Sequence, residues 1–537
     1  MTRIDERVST HVYKVKRISK EEMESIAGVC VYDQPPFCNA ACPLKLDVKA
    51  MLKAAAENDF KKAFKIYESI APFPLILSAG CGAPCEEKCR LCELGDGIAI
   101  GDIERAVALS GGAGEKRSIF RVRKKKKAAV FGSGLFALLL AGELEKKGYP
   151  VTAICGEADE EEYLRVAAGF LREDDFYTEL KRLRGKDIAF EFNAEMTREL
   201  FEEKRGGFDV LCASEKAALD IFPGAVRDEG IMLMESEGLL TGGGETVLEA
   251  ALGARKAALT ADRLAQGIDP RSARGEEGPV TSRLYTNPDL ARGLIRIKGC
   301  ESGYTREQAA EEAGRCMQCH CDECLRGCAY LRRFNKHPGL LSREIYNNTQ
   351  IIMGDHPLNR AMNACALCGQ CTVTCPHGFD MAHVCRTARE NMVDTDKMPL
   401  AAHEFALLDM LFSNGEAYLC RKQPGHSHCR YVFFPGCQAA AIAPEAVIAA
   451  YEDLCTRLKG GVALMLGCCG AIAHWAGRGE MYGEVRDKIA AELAALEDPV
   501  IIAGCPSCMK LLSEQDMAET VGIWTVLRDR GLPDGAR

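Results

Sequence analysis

The cysteines constrain this chain more than any other feature. There are 28 of them in 537 residues, and most fall in tight groups separated by long stretches that hold almost none. Pairing them as disulfides would need an oxidising compartment. The opening residues, MTRIDERVST, lack the apolar core of a signal peptide. No apolar run reaches the roughly 18 residues that predict a membrane span. The chain therefore reads as cytoplasmic with reduced thiols, and grouped reduced thiols point to metal. A net charge of −9 and a pI of about 5.8 give no broad attraction to nucleic acid or anionic membrane. The one basic run, 121–127, precedes an apolar strand and reads as a solvated linker.

The clearest group is 365-CALCGQCTVTCP-376, with spacing C-x2-C-x2-C-x3-C-P. Three closely spaced thiolates of such a run wrap one iron–sulfur cube and the fourth reaches a neighbouring cube. A zinc site would need only paired C-x2-C units at a distance. Cys365, Cys368, Cys371 and Cys375 are thus candidate cluster ligands. Upstream lies 315-RCMQCHCDECLRGC-328, in which Cys321, Cys324 and Cys328 fit C-x2-C-x3-C. The expected first cysteine is Gln318, and Cys316 and Cys319 are the available substitutes. Five thiols for four positions leave the ligand set open, between two cubanes with exchanged ligands and one cubane with spare thiols. The first reading is preferred, and Cys385 reads as a buried thiol outside the pattern. The pair of runs resembles the dicluster ferredoxin module of the heterodisulfide reductase C subunit.

Residues 1–118 read as mostly helical and carry the groups 30-CVYDQPPFCNAACPLKLDVKAML-52 and 81-CGAPCEEKCRLC-92, followed by 98-IAIGDIERAV-107. This arrangement resembles the N-terminal module of the glutamate synthase small subunit and dihydropyrimidine dehydrogenase, which holds two [4Fe–4S] clusters. The resemblance implies a first run C-x2-C-x4-C-x3-C-P, in which Cys30, Cys38 and Cys42 match the first, third and fourth cysteines. The second position is Asp33, a harder ligand than thiolate. The resemblance further implies Cys81, Cys85 and one of Cys89 and Cys92 as ligands, with the extra thiol as a replacement at the Asp33 position. Glu104 aligns with the side-chain oxygen that completes the second cluster, and equally reads as an ordinary helix carboxylate.

Next comes 128-AAVFGSGLFALLLAGELEKKGYPVTAIC-155, a strand, a G-x-G-x-x-A turn, a helix and a second strand. Gly132, Ser133, Gly134 and Ala137 read as a dinucleotide cradle at a helix N-terminus. The acidic residue expected at the end of the second strand is replaced by Cys155, with Glu157 two residues on. Residues 238–264 resemble the closing helix of the same family's flavin domain, without its upstream aspartate. Residues 124–268 suffice for about one domain and hold no second such turn. The expectation is a shortened FAD/NAD(P)-type Rossmann domain without a nicotinamide domain. Whether it holds FAD or survives as a scaffold is open at this point.

Three strand-like runs near the end finish in cysteine: 431-YVFFPGC-437, 463-ALMLGCC-469 and 500-VIIAGCPSC-508. Strand–loop–helix repetition predicts a parallel sheet, whose C-terminal strand ends share one edge. Cys437, Cys468, Cys469, Cys505 and Cys508 should meet there. The spacing C-x30-CCG-x34-C-x2-C resembles the CCG domain of heterodisulfide reductase B subunits, where five cysteines can hold a noncubane [4Fe–4S] cluster.

The expected architecture is multidomain α/β plus α. It comprises a helical Fe–S domain (1–118), the shortened Rossmann domain (124–268), a linker (269–312), a dicluster ferredoxin-like helical domain (313–395), a second linker (396–430) and an α/β CCG domain (431–537). The whole resembles the bacterial pyridine nucleotide-disulfide oxidoreductase/dicluster-binding protein family. The resemblance implies an oxidoreductase subunit of an anaerobe that passes electrons along several [4Fe–4S] clusters to a disulfide or thiol substrate at the CCG site. A relay or scaffold subunit whose partner does the chemistry is the alternative. A redox partner (ferredoxin, dehydrogenase or reductase subunit) or a second copy of the chain is the expected company.

Overall fold

The computed structural model describes residues 19–110, 123–272, 274–299 and 303–531. The opening residues read above for a signal peptide, and positions 121–122 of the basic run, lie outside the described residues. The chain divides into two compact units, Val31–Cys321 and Met1–Cys30 with Asp322–Arg537.

The first unit begins with short helices. Asp47 and Asp59 cap Val48–Ala56 and Phe60–Glu68 by accepting from the amides of Ala50 and Lys62. Their apolar stripes, Met51, Leu52 and Ala55, then Phe60, Ala63 and Tyr67, are buried in one core with Ile103 and Val107 of Ile100–Ser110. A six-stranded sheet follows: β1 (Ala128–Phe131), β2 (Val151–Ile154), β3 (Ile188–Glu191), β4 (Val210–Ser214), β5 (Leu233–Met234) and β6 (Leu239–Gly242). The order is β3-β2-β1-β4-β6-β5, parallel throughout except for the antiparallel edge strand β5. The order reverses at β1, the position where open α/β sheets bind nucleotides. The helix Leu135–Lys146 is almost wholly buried and packs on the helix Val247–Gln266.

The described residues of 269–312, expected as a linker, instead run back along the N-terminal helices. The Val280 amide donates to the Ala40 carbonyl and the Ser282 hydroxyl to the Pro35 carbonyl. The helix Arg306–Gly314 packs on Val48–Ala56 and Ile100–Ser110. Its Glu312 is fully buried, accepts from the amides of Ala99 and Ile297, and pairs with Arg315 at 2.5 Å. Arg315 also donates to the carbonyls of Asp96 and Gly293. A buried charge pair persists only when its remaining hydrogen bonds are met, as they are here.

In the second unit the helix Lys20–Ala27 packs on Pro338–Gln350. The cysteine-bearing loops lie around the helix Met381–Asp394. A second sheet contains β7 (Leu419–Arg421), β8 (Tyr431–Phe434), β9 (Val462–Leu466), β10 (Val500–Ala503) and β11 (Thr520–Gly522). Its order is β11-β10-β8-β9-β7, parallel except for β7. The expected linker 396–430 thus carries the edge strand β7 and the helix Glu404–Asn414. At the level of helices and two mixed sheets, the α/β plus α expectation holds. No helix of the described residues is long and apolar enough to cross a membrane.

Candidate metal centres and nucleotide site

β8, β9 and β10 are adjacent and parallel, so their C-terminal ends deliver Cys437, Cys468–Cys469 and Cys505–Cys508 to one edge. The Cys437 thiol is hydrogen-bonded to Cys468, Cys468 to Cys469, and Cys469 to Cys508. A Cβ on Gly436 would lie 2.9 Å from Cys505 Cβ and 3.4 Å from Cys508 Sγ, which brings the fifth thiol to the group. The bond from Cys437 pulls the Cys468 thiol down, but the bond with Cys469 and burial outweigh it, leaving it at about 11. Gly470, in the left-handed region at φ +82°, completes the CCG turn. A Cβ there would stand 3.0 Å from the Tyr482 ring, so both conformation and space select glycine. The Asn414 side chain fixes the loop by bonding both the amide and the carbonyl of Cys468.

Cys365 and Cys371 stand in the core beside the helix Met381–Asp394, with Cys328 near Cys371. Cys385 is fully buried and hydrogen-bonded to Cys365, which lowers the Cys365 pKa. The spare thiol of the sequence pattern is therefore in contact with the run. Cys368 is exposed, and Cys375 and Cys324 belong to the same core. Arg389 is buried and donates to the carbonyls of Met362, Cys365 and Trp475. A Cβ on Gly477 would lie 2.6 Å from the Glu390 amide. The ferredoxin-like loop and the CCG segment are therefore closely packed through one helix.

The N-terminal cysteines sort differently from the expected run. Cys30 lies in the second unit, packed in the core that holds Cys324, Cys328, Cys365 and Cys375. The docking of Lys20–Ala27 on Pro338–Gln350 carries it there. A Cβ on Gly339 would be 3.5 Å from its Sγ. Asp33 is exposed in a turn. In the first unit the thiols form two sets. Cys42, Cys81 and Cys85 surround Glu104, which is 3% exposed and raised to about 8 by burial. Burial, then Glu104, raises Cys81 to about 12. The buried Tyr67 hydroxyl lies beside Glu104 and lacks full hydrogen-bond geometry to any group. Cys38 and Cys89 line a different cavity, together with Cys316 and Cys319. Cys92 is exposed, its thiol donating to the Glu86 carbonyl. Cys321 ends the first unit.

Among the described residues no three His, Cys, Asp or Glu side chains meet tightly enough for a single ion. Grouped buried thiols, with an orphaned hydroxyl at one set, fit iron–sulfur ligation.

At the glycine turn Gly132 and Gly134 have φ of +83° and +103°. A Cβ on Gly132 would strike Ser214 Oγ at 2.5 Å, whereas nothing lies within 4 Å of one on Gly134. The turn is thus tight behind and open in front, as a pyrophosphate requires. Cys155 is buried, and burial together with Glu157 pushes its thiol to about 12, so it is no ribose acceptor. One buried carboxylate oxygen of Glu157 lacks full hydrogen-bond geometry to any group, with the Cys155 thiol beside that carboxylate. The residues therefore fit the adenosine half of a dinucleotide. At the far end Glu249 accepts from the amides of Glu245 and Thr246, satisfying that helix start from within.

Three family profiles match the chain: dihydropyrimidine dehydrogenase domain II, 4Fe-4S cluster, over 7–112; 4Fe-4S dicluster domain over 315–380; and the CCG cysteine-rich domain over 431–513. Similar proteins include the NADPH-Fe(3+) oxidoreductase subunit beta of Geobacter sulfurreducens, 28% identical over 40% of this chain and 33% of that one. The NADP(+)-dependent formate dehydrogenase subunit beta of Moorella thermoacetica is 28% identical over 25% of this chain and 21% of its own. The glutamate synthase [NADPH] small chain of Azospirillum brasilense is 29% identical over 25% and 29%. The chain spans a third or less of the length of these curated relatives. The matches support an iron–sulfur protein with a role in electron transfer.

Proposed function

The domain matches and relatives fit the pyridine nucleotide-disulfide oxidoreductase/dicluster-binding family, and from that premise we propose a subunit that carries electrons to the CCG site to reduce a disulfide. The donor is a redox partner protein, such as a ferredoxin or a dehydrogenase subunit. Two electrons and two protons convert the S–S bond into two thiols. The observation that carries this reading is Arg389, which joins the Cys365 loop to the carbonyl of Trp475 next to CCG. Electrons at the ferredoxin-like loop then have a packed route to the five convergent thiols, which are proposed to hold a noncubane cluster. A cavity beside both is lined by Cys368, His383, Arg386, His474, Trp475 and Lys510. Asp380 and Glu514 also line it and balance Arg386 and Lys510, so the lining is polar without a net preference for an anionic disulfide. Burial, then Arg386, lowers the His474 pKa, so a neutral imidazole faces that space. The proposal includes FAD at the glycine turn, supported by open Gly134 and the buried Glu157 oxygen that lacks full hydrogen-bond geometry. Bound flavin supplies exchange between paired and single electrons. The Cys468→Ser/Cys469→Ser variant tests the reading. It should lose disulfide reduction by at least 100-fold (roughly the loss seen when a catalytic group is removed), with the EPR signals of the other clusters retained. Unchanged turnover would refute it.

A further inference from the structure

The cavity that brings Cys316 and Cys319 to Cys38 and Cys89 is formed by four thiols from three separate segments. Phe37, Leu52, Leu91 and Ile98 help close it, and no carboxylate lines it. Within the domain matched as a 4Fe-4S cluster domain, Cys38 and Cys89 would otherwise lack two ligands. Cys30 belongs to the other unit and Asp33 is exposed. The C-x2-C pair 316/319 stands in their stead. We propose that Cys38, Cys89, Cys316 and Cys319 together hold a [4Fe–4S] cluster, with the segment that follows the Rossmann-like sheet supplying half of the ligands.

Three further observations support the site. The segment is held in register by buried Glu312 and Arg315, which lie just before the pair begins. Lys49 donates to the Cys319 carbonyl at 2.9 Å, and the Gln318 side chain bonds both the Lys49 carbonyl and Cys316 Sγ. Gln318 itself adopts φ +51°, a left-handed turn that leaves the two thiols on one side of the loop. The Thr286 hydroxyl lies buried beside Cys319 without full hydrogen-bond geometry to any group. It can donate to a thiolate or sulfide. Four thiolates around a [4Fe–4S]2+ core leave net negative charge, and Arg90 lines the cavity to oppose it. Zinc would satisfy four thiols too, but the enclosing match is to an iron–sulfur domain.

The inference rests on the iron–sulfur part of the proposed function and not on its disulfide chemistry. The test is anaerobic iron, zinc and acid-labile sulfide content of the full chain, with EPR after reduction. Cys316→Ser/Cys319→Ser should lose about four iron and about four sulfide per chain, together with one EPR signal. Cys455→Ser, at a half-buried thiol of the helix Pro444–Arg457 that belongs to none of the cysteine groups, should lose none. Cys316→Asp keeps an anionic donor, so it should retain the iron and shift that one signal, even if the double variant does not fold. Unchanged iron and an unshifted spectrum in Cys316→Asp would overturn the assignment, as would loss of zinc in place of iron. Neither result depends on disulfide turnover, so the two readings fail separately.

Discussion

Glu179 shows how one buried carboxylate makes stability depend on pH. It is fully buried, accepts from the Leu75 amide at 2.6 Å and meets Arg182 at 3.0 Å. Burial outweighs Arg182 and raises its pKa above the ordinary 4.5. The native state then holds a proton that the unfolded chain releases. This contribution is full below pH 4.5 and declines as pH rises towards the native value. Glu179→Gln keeps an oxygen for Leu75 and should remove up to about 1.4 kcal/mol of slope per pH unit in that window. Thermal unfolding of both proteins between pH 5 and 7 (roughly the range of maximal stability) checks this. Equal slopes would count against a protonated Glu179. Glu104 offers the complementary test at a candidate centre. Its carboxylate stands among Cys42, Cys81 and Cys85, with the Tyr67 hydroxyl beside it. Glu104→Ala should lower iron by up to about four per chain, and Glu104→Gln, which keeps an oxygen, by much less. Equal iron in all three proteins would remove Glu104 from the site.

At the scale of elements, the helix Met381–Asp394 matters most, because Arg389 is satisfied by carbonyls from both sides of it. Arg389→Met would leave the Met362, Cys365 and Trp475 carbonyls without that donor. The expected cost is about 3–5 kcal/mol of unfolding free energy, with slower reduction of the CCG site by a partner. Denaturant melts and stopped-flow reduction measure the two separately. This contact was not legible in the sequence, since nothing local distinguishes Arg389 from the surface arginines around it. The CCG edge was legible, because three apolar runs of strand length each end in cysteine and parallel pairing leaves one geometry for them. The destination of Cys316 and Cys319 was not. Glu312 and Arg315 sit in a helix with a weak apolar face, after an irregular stretch with no period to follow. Two deficits, Asp33 in one run and Gln318 in another, were visible signals that ligands had been exchanged. Choosing between the possible exchanges required the tertiary path of 279–321.

For the whole molecule, nucleotide and CCG chemistry are assigned to different units: the glycine turn lies in Val31–Cys321 and the CCG thiols in the unit completed by Asp322–Arg537. Loss at one need not unfold the other, so cofactor content should divide cleanly between them. Glu157→Gln removes the charge but not the size of the acceptor that follows β2. A ribose hydroxyl bonded to a charged acceptor is worth about 1.5–3 kcal/mol, so FAD affinity should fall by roughly 10- to 150-fold. Iron content should be unchanged. Flavin fluorescence after denaturation, alongside iron analysis, reads both quantities on the same sample. If the variant retains wild-type flavin, Glu157 does not hold the ribose. If neither protein contains flavin, the sheet is a scaffold and electrons enter through the clusters alone. The same preparation separates donors. The sequence shows one G-x-G-x-x-A turn between 124 and 268, and one dinucleotide occupies one such turn. With FAD there, NADPH added alone should leave the flavin absorbance unchanged, while a reduced ferredoxin bleaches it. Direct bleaching by NADPH would require a second nucleotide site and would reverse the order in which electrons enter.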